Sequence, residues 1–459
     1  MRLFDPIRNG FKRQKIRRLY NAGKMTESRK EAMEELSRDT PNKSMAQDIV
    51  IRSLYNQGKW DELLTFVELN PGSDPGNYAN RARIKLSSST SYVEPEPVIH
   101  KNKIWDEDNL LENWYQEGER LWLRHPWGWV YWDMPEDFAL EDTSPNLLHL
   151  ALEVLLSPWI PKVKRWKPIE RKAGAGLALS YSGGIDSTAA LLLLPDETIL
   201  AYHLRDFVSM LDHSIPKRTF QAIQEKMERK VLCIPSNHER IRLAHGLNVG
   251  FSSANAAGVH LILLADYLDL KGIAFGTPID NTWLKSGRTF RDFSQSHYWK
   301  YWEGQFSKAG LSYVLPINHI SEAGAMEICK QSVLFESVNS CLRGVDGNWC
   351  GECWKCFHKN GPLGRKIDPH SKEITTFLST KPLRTAQHAI WALKEQNLIH
   401  LAPQFSELMH LDLSWWRKAY PPGLDLIDGE WRECIKEKTQ RHLSWMKPPF
   451  LLEGVDLDI

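Results

Sequence analysis

The sequence predicts an α/β protein: a doubly wound parallel sheet with a cysteine lobe, helical repeats before it and a helical region after it. Three observations point there. From Leu177 onward, short apolar runs of strand length alternate with helix-length stretches. The first such run leads through a glycine turn, Ser180-Tyr-Ser-Gly-Gly-Ile-Asp-Ser-Thr188, into a second apolar run. Four of the seven cysteines fall within sixteen residues.

The 459 residues suffice for several domains, and 42% hydrophobic with 25% charged residues is ordinary for a globular chain. The net charge of +1 offers no global field for nucleic acid or membrane, so neither is expected as a partner. Local charge is uneven: residues 1–24 carry eight Lys/Arg against the single acid Asp5. Such a start could touch RNA or an acidic partner, or simply form a solvated face. The N-terminus lacks an apolar core with a cleavage site, and no apolar run is long enough to span a bilayer, so a cytoplasmic protein is expected.

Residues 1–90 read as helical and repetitive. Leu19-Tyr-Asn-Ala-Gly-Lys24 recurs as Leu54-Tyr-Asn-Gln-Gly-Lys59, a period close to the tetratricopeptide unit. Two readings stand side by side: a groove that docks a protein partner, or a cap packed on the rest of the chain. Residues 72–100 are rich in Ser, Pro and Gly and read as a linker. Residues 91–170 form a second segment. In it, Arg120–Arg124 and Trp129–Trp132 flank a Pro/Gly turn and predict a β-hairpin, and Asn146–Leu156 predicts a helix.

Residues 171–360 carry the sheet. The expected strands are Leu177–Ser180, Thr198–His203, Val231–Ile234, Ile273–Gly276 and Tyr313–Leu315. The clearest helices are Ala189–Leu194, Lys217–Lys230 and Asn255–Leu268. Ligands of such sheets sit at the carboxyl ends of the strands, where the Ser-Gly-Gly turn lies. Residues 361–459 read as a helical tail whose tryptophans (Trp415, Trp416, Trp431, Trp445) belong to a core or an interface.

The turn is built for phosphate. Successive N–H groups at a helix N-terminus favour negative charge. Gly183 and Gly184 permit close backbone approach, and Ser182, Ser187 and Thr188 add hydroxyls. It is not a Walker A loop, for it has no lysine. The alternative is a strand–helix turn that uses Gly and Ser for geometry alone. Ser-Gly-Gly-x-Asp-Ser after a strand and before a helix resembles the pyrophosphate (PP) loop of the N-type ATP pyrophosphatases, which split ATP between the α and β phosphates.

Cys341, Cys350, Cys353 and Cys356 give C-x8-C-x2-C-x2-C. Four thiolates suit tetrahedral zinc with no position left for water, hence a structural site; an iron–sulfur cluster is the other chemistry open to four cysteines. Cys233, Cys329 and Cys434 read as small core residues.

The loop, taken with Ser340-Cys-Leu-Arg-Gly344 and Cys350-Gly-Glu-Cys-Trp-Lys-Cys356, resembles the 7-cyano-7-deazaguanine synthase family of the queuosine pathway over residues 175–362. The resemblance implies a PP-loop fold with one structural zinc, and ATP with magnesium as cofactors. It also implies adenylation of 7-carboxy-7-deazaguanine, followed by attack of an amine and, in the plain family, dehydration to the nitrile. It implies that Ser180, Ser182, Gly183, Gly184, Asp186, Ser187 and Thr188 hold phosphates, with Ser182, Asp186 and Ser187 central to the chemistry. His203, within Tyr202–Leu204, would flank adenine; Phe251 and Asn255 would face the substrate. Asp280 is a candidate for the guanidine-like edge of the base, against the alternative of a helix or turn cap.

Two departures from the family stand out. Its segment after the fourth strand is replaced here by Thr277–Arg291, and its Thr-Lys pair by Ile320-Ser-Glu-Ala323. Glu322 stands where the lysine would be, and a carboxylate cannot do that cation's work. Lys285, Arg288 and Arg291 are candidate substitutes.

Several functions therefore compete. One is a synthase using ammonia. A second is a ligase that conjugates the base to a protein amine, as expected for the branch in bacterial antiviral operons, with the acceptor docked on the N-terminal repeats. Others are a tRNA-modifying enzyme such as a thiolase, an asparagine-synthetase-like amidase, and a non-catalytic scaffold. The two long extensions favour conjugation.

Overall fold

The computed structural model of the chain describes residues 5–38, 40–71, 73–74, 78–79, 82, 95–207, 213–341 and 343–457. The chain divides into two compact units. The first comprises Met1–Glu136, Arg205–Met210 and Pro235–Ala254; the second comprises Asp137–Leu204, Leu211–Ile234 and Asn255–Ile459. This differs from the four segments expected. The hairpin shares a unit with the N-terminal helices, and residues 361–459 share one with the parallel sheet.

In the first unit, helices α1 (Asp5–Asn21), α2 (Met25–Leu36), α3 (Lys43–Asn56) and α4 (Trp60–Leu69) form two helix–turn–helix pairs. The sequence repeat is their turn. Gly23 and Gly58 take positive φ (76° and 69°), which glycine alone adopts without a Cβ penalty. The next residue closes the helix end in each copy: Lys24 N–H donates to Leu19 O at 3.0 Å and Lys59 N–H to Leu54 O at 2.9 Å. Ile16, Ile49, Leu54 and Leu63 are buried between the helices. Part of the basic start is neutralised locally, for Lys12 and Lys15 both pair with Glu31 of α2.

Most of the expected linker lies outside the described residues. Its end is anchored by Glu117, whose carboxylate accepts the N–H groups of Val98, Ile99 and His100 at 2.8–3.0 Å. The hairpin is a three-stranded antiparallel meander: β1 (Trp114–Glu117), β2 (Arg120–His125) and β3 (Gly128–Asp133). Strand β1 had no clear alternation in the sequence. Trp132 of β3 also pairs antiparallel with Ser236.

The second unit opens on helix α5 (Pro145–Leu156), capped by Ser144 Oγ, which accepts Asn146 N–H at 3.3 Å. Then follow β4 (Gly176–Ser180), α6 (Ile185–Leu193), β5 (Ile199–Arg205), α7 (Ser214–Met227) and β6 (Val231–Ser236), the last residues of β5 and β6 falling in the first unit. Helix α8 (Val259–Leu263), β7 (Leu270–Phe275), the small ribbon β8 (Leu284–Lys285) and β9 (Thr289–Phe290), α9 (His297–Lys308) and β10 (Ser312–Val314) come next. Helices α10 (Glu322–Lys330), α11 (Lys372–Ser379), α12 (Ala386–Glu395) and α13 (Gly429–His442) complete the unit.

The strand order is β6-β5-β4-β7-β10. Strand β4 runs parallel to both β5 and β7, and β10 runs parallel to β7. The chain thus winds outward one way from β4, then returns to the other side of β4. The order reverses between β4 and β7, the crevice where such sheets hold ligands.

Two expected helices are shifted. Lys217–Lys230 is replaced by α7, which Glu228 ends in the left-handed region (φ 55°). Asn255–Leu268 shortens to a 3-10 turn, Ala254–Gly258, followed by α8. A Cβ at Gly258 would lie 2.6 Å from the Phe275 ring, so tight packing on β7 shapes that turn.

The tail belongs to the core of this unit. Trp416 is fully buried, and a Cβ on Gly272 of β7 would lie 2.6 Å from the Trp431 ring. Tyr420 N–H donates to His319 O at 2.8 Å. The buried tryptophans are what makes the tail inseparable from the sheet. Among the described residues no helix is long and apolar enough to cross a membrane.

Candidate functional site: the Ser-Gly-Gly loop and the cysteine lobe

The turn after β4 has the conformation its residues dictate. Gly183 takes φ +74°, and a Cβ there would lie 2.8 Å from Pro216 Cβ and 2.9 Å from its Cα. Gly276, which follows β7, abuts the first turn of α6: a Cβ on it would lie 2.9 Å from Ser187 Cα. The loop therefore occupies the β4–β7 crevice.

The hydroxyls divide into two sets. Ser182 Oγ and Ser187 Oγ lie 2.9 Å apart, and Ser187 Oγ donates to Gly184 O at 3.1 Å. Ser182 is exposed and Ser187 lies beneath it, so the pair opens to solvent through Ser182. Ser180 and Thr188 belong to the framework instead. Ser180 Oγ donates to Ala257 O at 2.9 Å, and fully buried Thr188 bonds the Tyr181 hydroxyl at 2.8 Å. The phosphate role expected for these two side chains is thus corrected, because their polar atoms are turned to partners inside the fold.

A buried ionic cluster lies behind the loop, and the sequence reading missed its centre. Lys359 is fully buried, with Nζ 2.7 Å from Asp186 Oδ1 and 2.9 Å from Glu322 Oε2. Burial opposes the ammonium, but Asp186 and Glu322 outweigh it and raise the lysine above its ordinary value. Burial alone would likewise raise the Glu322 carboxyl, yet the Lys359 charge holds it well below the carboxylate range. The cation beside the loop is therefore Lys359. Two of the three basic candidates are placed elsewhere: Lys285 is exposed on the small ribbon, and Arg291 donates to the carbonyls of Thr282 and Asn281. Arg288 N–H donates to Lys285 O and its carbonyl accepts from Leu457, which places that residue at the ribbon too.

Asp280 is also buried there. Its Oδ2 accepts the N–H of Glu322, the first residue of α10, at 2.8 Å. Burial first, then the neighbouring Glu322 charge, pushes its carboxyl well above the ordinary range. The geometry is that of the helix-cap alternative.

Asn255, His203 and Phe251 were anticipated as well. Asn255 is buried and its Oδ1 accepts from Tyr313 at 2.9 Å. His203 lies in β5 with its ring 6.4 Å from that of His260. Phe251 belongs to the first unit, 5.9 Å from the His238 ring, and is not grouped with Asn255 in one unit.

The four cysteines converge. Cys341 Sγ lies 3.5 Å from Cys350 and 3.9 Å from Cys353, and Cys350 lies 3.9 Å from Cys356. A tetrahedron of sulfurs at about 2.3 Å from a central zinc has edges of about 3.8 Å. The set therefore fits a metal ion. Outer donors are also in place: Cys350 N–H and Arg343 N–H reach Cys341 Sγ at 3.3 and 3.4 Å, and Asn360 Nδ2 reaches Cys356 Sγ at 3.3 Å. Of the remaining cysteines Cys329 is fully buried, whereas Cys233 and Cys434 are only partly so, short of the core position expected.

The lobe is wired to the loop twice. Ser340 Oγ, beside Cys341, accepts the N–H of Ile185 at 2.9 Å. Lys359 lies three residues after Cys356, in a π-helical turn Cys356–Asn360.

Glu322, His358 and His388 bring further ligand-type atoms within 4.8 Å of one another. Two of the three already have partners. Trp416 Nε1–H can only donate to His388 Nδ1 (3.3 Å), which leaves Nε2–H to donate to His358 O (3.0 Å). Glu322 already carries the Lys359 ammonium.

A family of unknown function, DUF6395, has a model that matches residues 301–449. The match takes in Glu322, the four cysteines, Lys359 and His388, and leaves out the Ser-Gly-Gly loop. No curated protein matches the chain.

Proposed function

We propose that the chain is an ATP-dependent ligase that adenylates a 7-deazaguanine carboxylate and passes the acyl group to an amine. One observation carries the ATP half: a Ser182–Ser187 hydroxyl pair, exposed at Ser182, beside two glycines at the N-terminus of α6, in the crevice between β4 and β7. The deazaguanine half rests on the likeness of the paired loop and cysteine motifs to the 7-cyano-7-deazaguanine synthases.

The carboxylate oxygen attacks the α-phosphorus of ATP, the bond to the bridging oxygen breaks, and pyrophosphate leaves. The amine nitrogen then attacks the acyl carbon; AMP departs and the nitrogen loses a proton. Gly183, Gly184, Ser182 and Ser187 would hold the departing pyrophosphate, where charge grows in the transition state. Asp186, partly exposed, would meet the magnesium that travels with ATP. Zinc in the four cysteines would be structural, and reduced thiolates of this kind suit the cytoplasm. The acceptor we favour is a protein amine in a bacterial antiviral system, docked on the N-terminal helix pairs.

The test is mass spectrometry of the protein incubated with ATP, magnesium and 7-carboxy-7-deazaguanine, with ammonia or with proteins encoded beside it. A deazaguanine-sized mass gain on a neighbouring protein is expected. A free nitrile under ammonia would make the chain a synthase instead. No product and no pyrophosphate would refute the ligase reading.

A further inference from the structure

We infer that Lys359, delivered by the cysteine lobe, positions Asp186 for nucleotide binding and so replaces a cation that the loop itself lacks. The inference rests on the reading of the loop as an ATP site and adds a residue to it.

Four observations carry it. The loop contains no lysine or arginine between Ser180 and Thr188, so it offers the phosphates no cation of its own. Among the described residues Lys359 is a cation that touches the loop, at 2.7 Å from Asp186 Oδ1. A fully buried lysine is costly unless paired, and here two carboxylates pair it from separate elements, α6 and α10. The turn that carries it begins at Cys356 and is held by Asn360, which bonds Cys356 Sγ and Asn339 Oδ1.

The consequence is directional. Lys359 binds one oxygen of Asp186 and leaves the second for a magnesium ion. It also cancels one of the two negative charges, Asp186 and Glu322, that would otherwise repel the triphosphate. Lys359 does not need to touch the nucleotide. It acts through Asp186 and is a positioning residue.

The experiment is calorimetric titration of MgATP into full-length protein, with zinc content and melting temperature measured on each sample. Lys359→Met leaves buried Glu322 and partly exposed Asp186 without their cation and is a risk to folding, so the charge-balanced pair Lys359→Met/Glu322→Gln is made beside it. Glu322→Gln alone keeps the lysine on Asp186. The pair should keep its zinc and bind MgATP roughly tenfold or more weakly, while Glu322→Gln alone stays within about threefold of the parent. A purely structural ion pair predicts no such gap, with Glu322→Gln and the double variant binding MgATP alike. MgATP binding by the double variant at the parent's affinity, while Asp186→Ala loses it, overturns the role of Lys359 and leaves the ATP site standing. Failure of the parent itself to bind MgATP overturns the ATP reading and this inference with it.

Discussion

Ser340 Oγ accepts the backbone N–H of Ile185 at 2.9 Å, so the residue before the first cysteine of the lobe caps the helix that follows the Ser-Gly-Gly loop. Ile185 is buried, and the first N–H groups of a helix have no partner within it. Ser340→Ala removes the acceptor and leaves the donor without one, at a cost of ~1–3 kcal/mol. The expected outcome is a lower melting temperature by calorimetry with zinc content unchanged. An unshifted melt would show that water takes over the bond.

Gly183→Ala should disable the loop. Its positive φ alone costs a non-glycine residue ~1–2 kcal/mol, and the new methyl would meet Pro216 at 2.8–2.9 Å. Pro216 is the third residue of α7, so it cannot swing aside. Loss of ATP-dependent pyrophosphate release, with the metal content of the cysteine lobe retained, is the expected result. Activity equal to the parent's would remove this glycine from the loop's function.

Asp280→Asn separates cap from ligand. The side-chain carbonyl of asparagine can still accept Glu322 N–H, and burial already disfavours the charged form of the native carboxyl. Stability should change by less than ~1 kcal/mol in a urea titration, whereas Asp280→Ala, which strands a buried donor, should cost ~1–3 kcal/mol. If Asp280→Asn instead left stability intact and abolished substrate binding, the carboxyl would be a substrate ligand.

Stability should fall on acidification from neutral pH. Burial lowers His125, His260 and His319 to about 3 each. Their unfolded value is about 6.5, so below that pH the unfolded chain takes up protons that the folded chain refuses. At pH 5 each such histidine costs roughly 2 kcal/mol. His260 and His319 lie in the second unit, so its transition should move most. Melting temperatures at pH 7.5, 6.5 and 5.5 should descend steadily; a flat series would mean that these rings are protonated in the folded protein.

The strand–turn–helix at Ser180–Thr188, the recurrence of Leu19–Lys24 at Leu54–Lys59, and the cysteine spacing were all legible in the sequence. Each is local: a few residues carry both the conformation and its reason, whether a positive φ, a helix N-terminus or four thiols within one metal's reach. The parallel sheet followed from alternation alone. Tertiary structure decided the rest. Lys359 meets Asp186 across 173 positions of chain, and neither residue's surroundings in sequence announce the other. The one available hint was its spacing of three from Cys356, which puts it on the turn the metal ligands would anchor. Asp280 became a cap because α10 begins beside it, and Ser180 and Thr188 turned inward because Ala257 and Tyr181 wait there. The tail joined the sheet's core because Trp416 and Trp431 have apolar surface to bury and β7 offers a glycine to receive it. Local conformation is set by neighbours in sequence, whereas pairing of buried charge is set by whichever partners the fold brings within 3 Å, as it does for Lys359, Asp186 and Glu322.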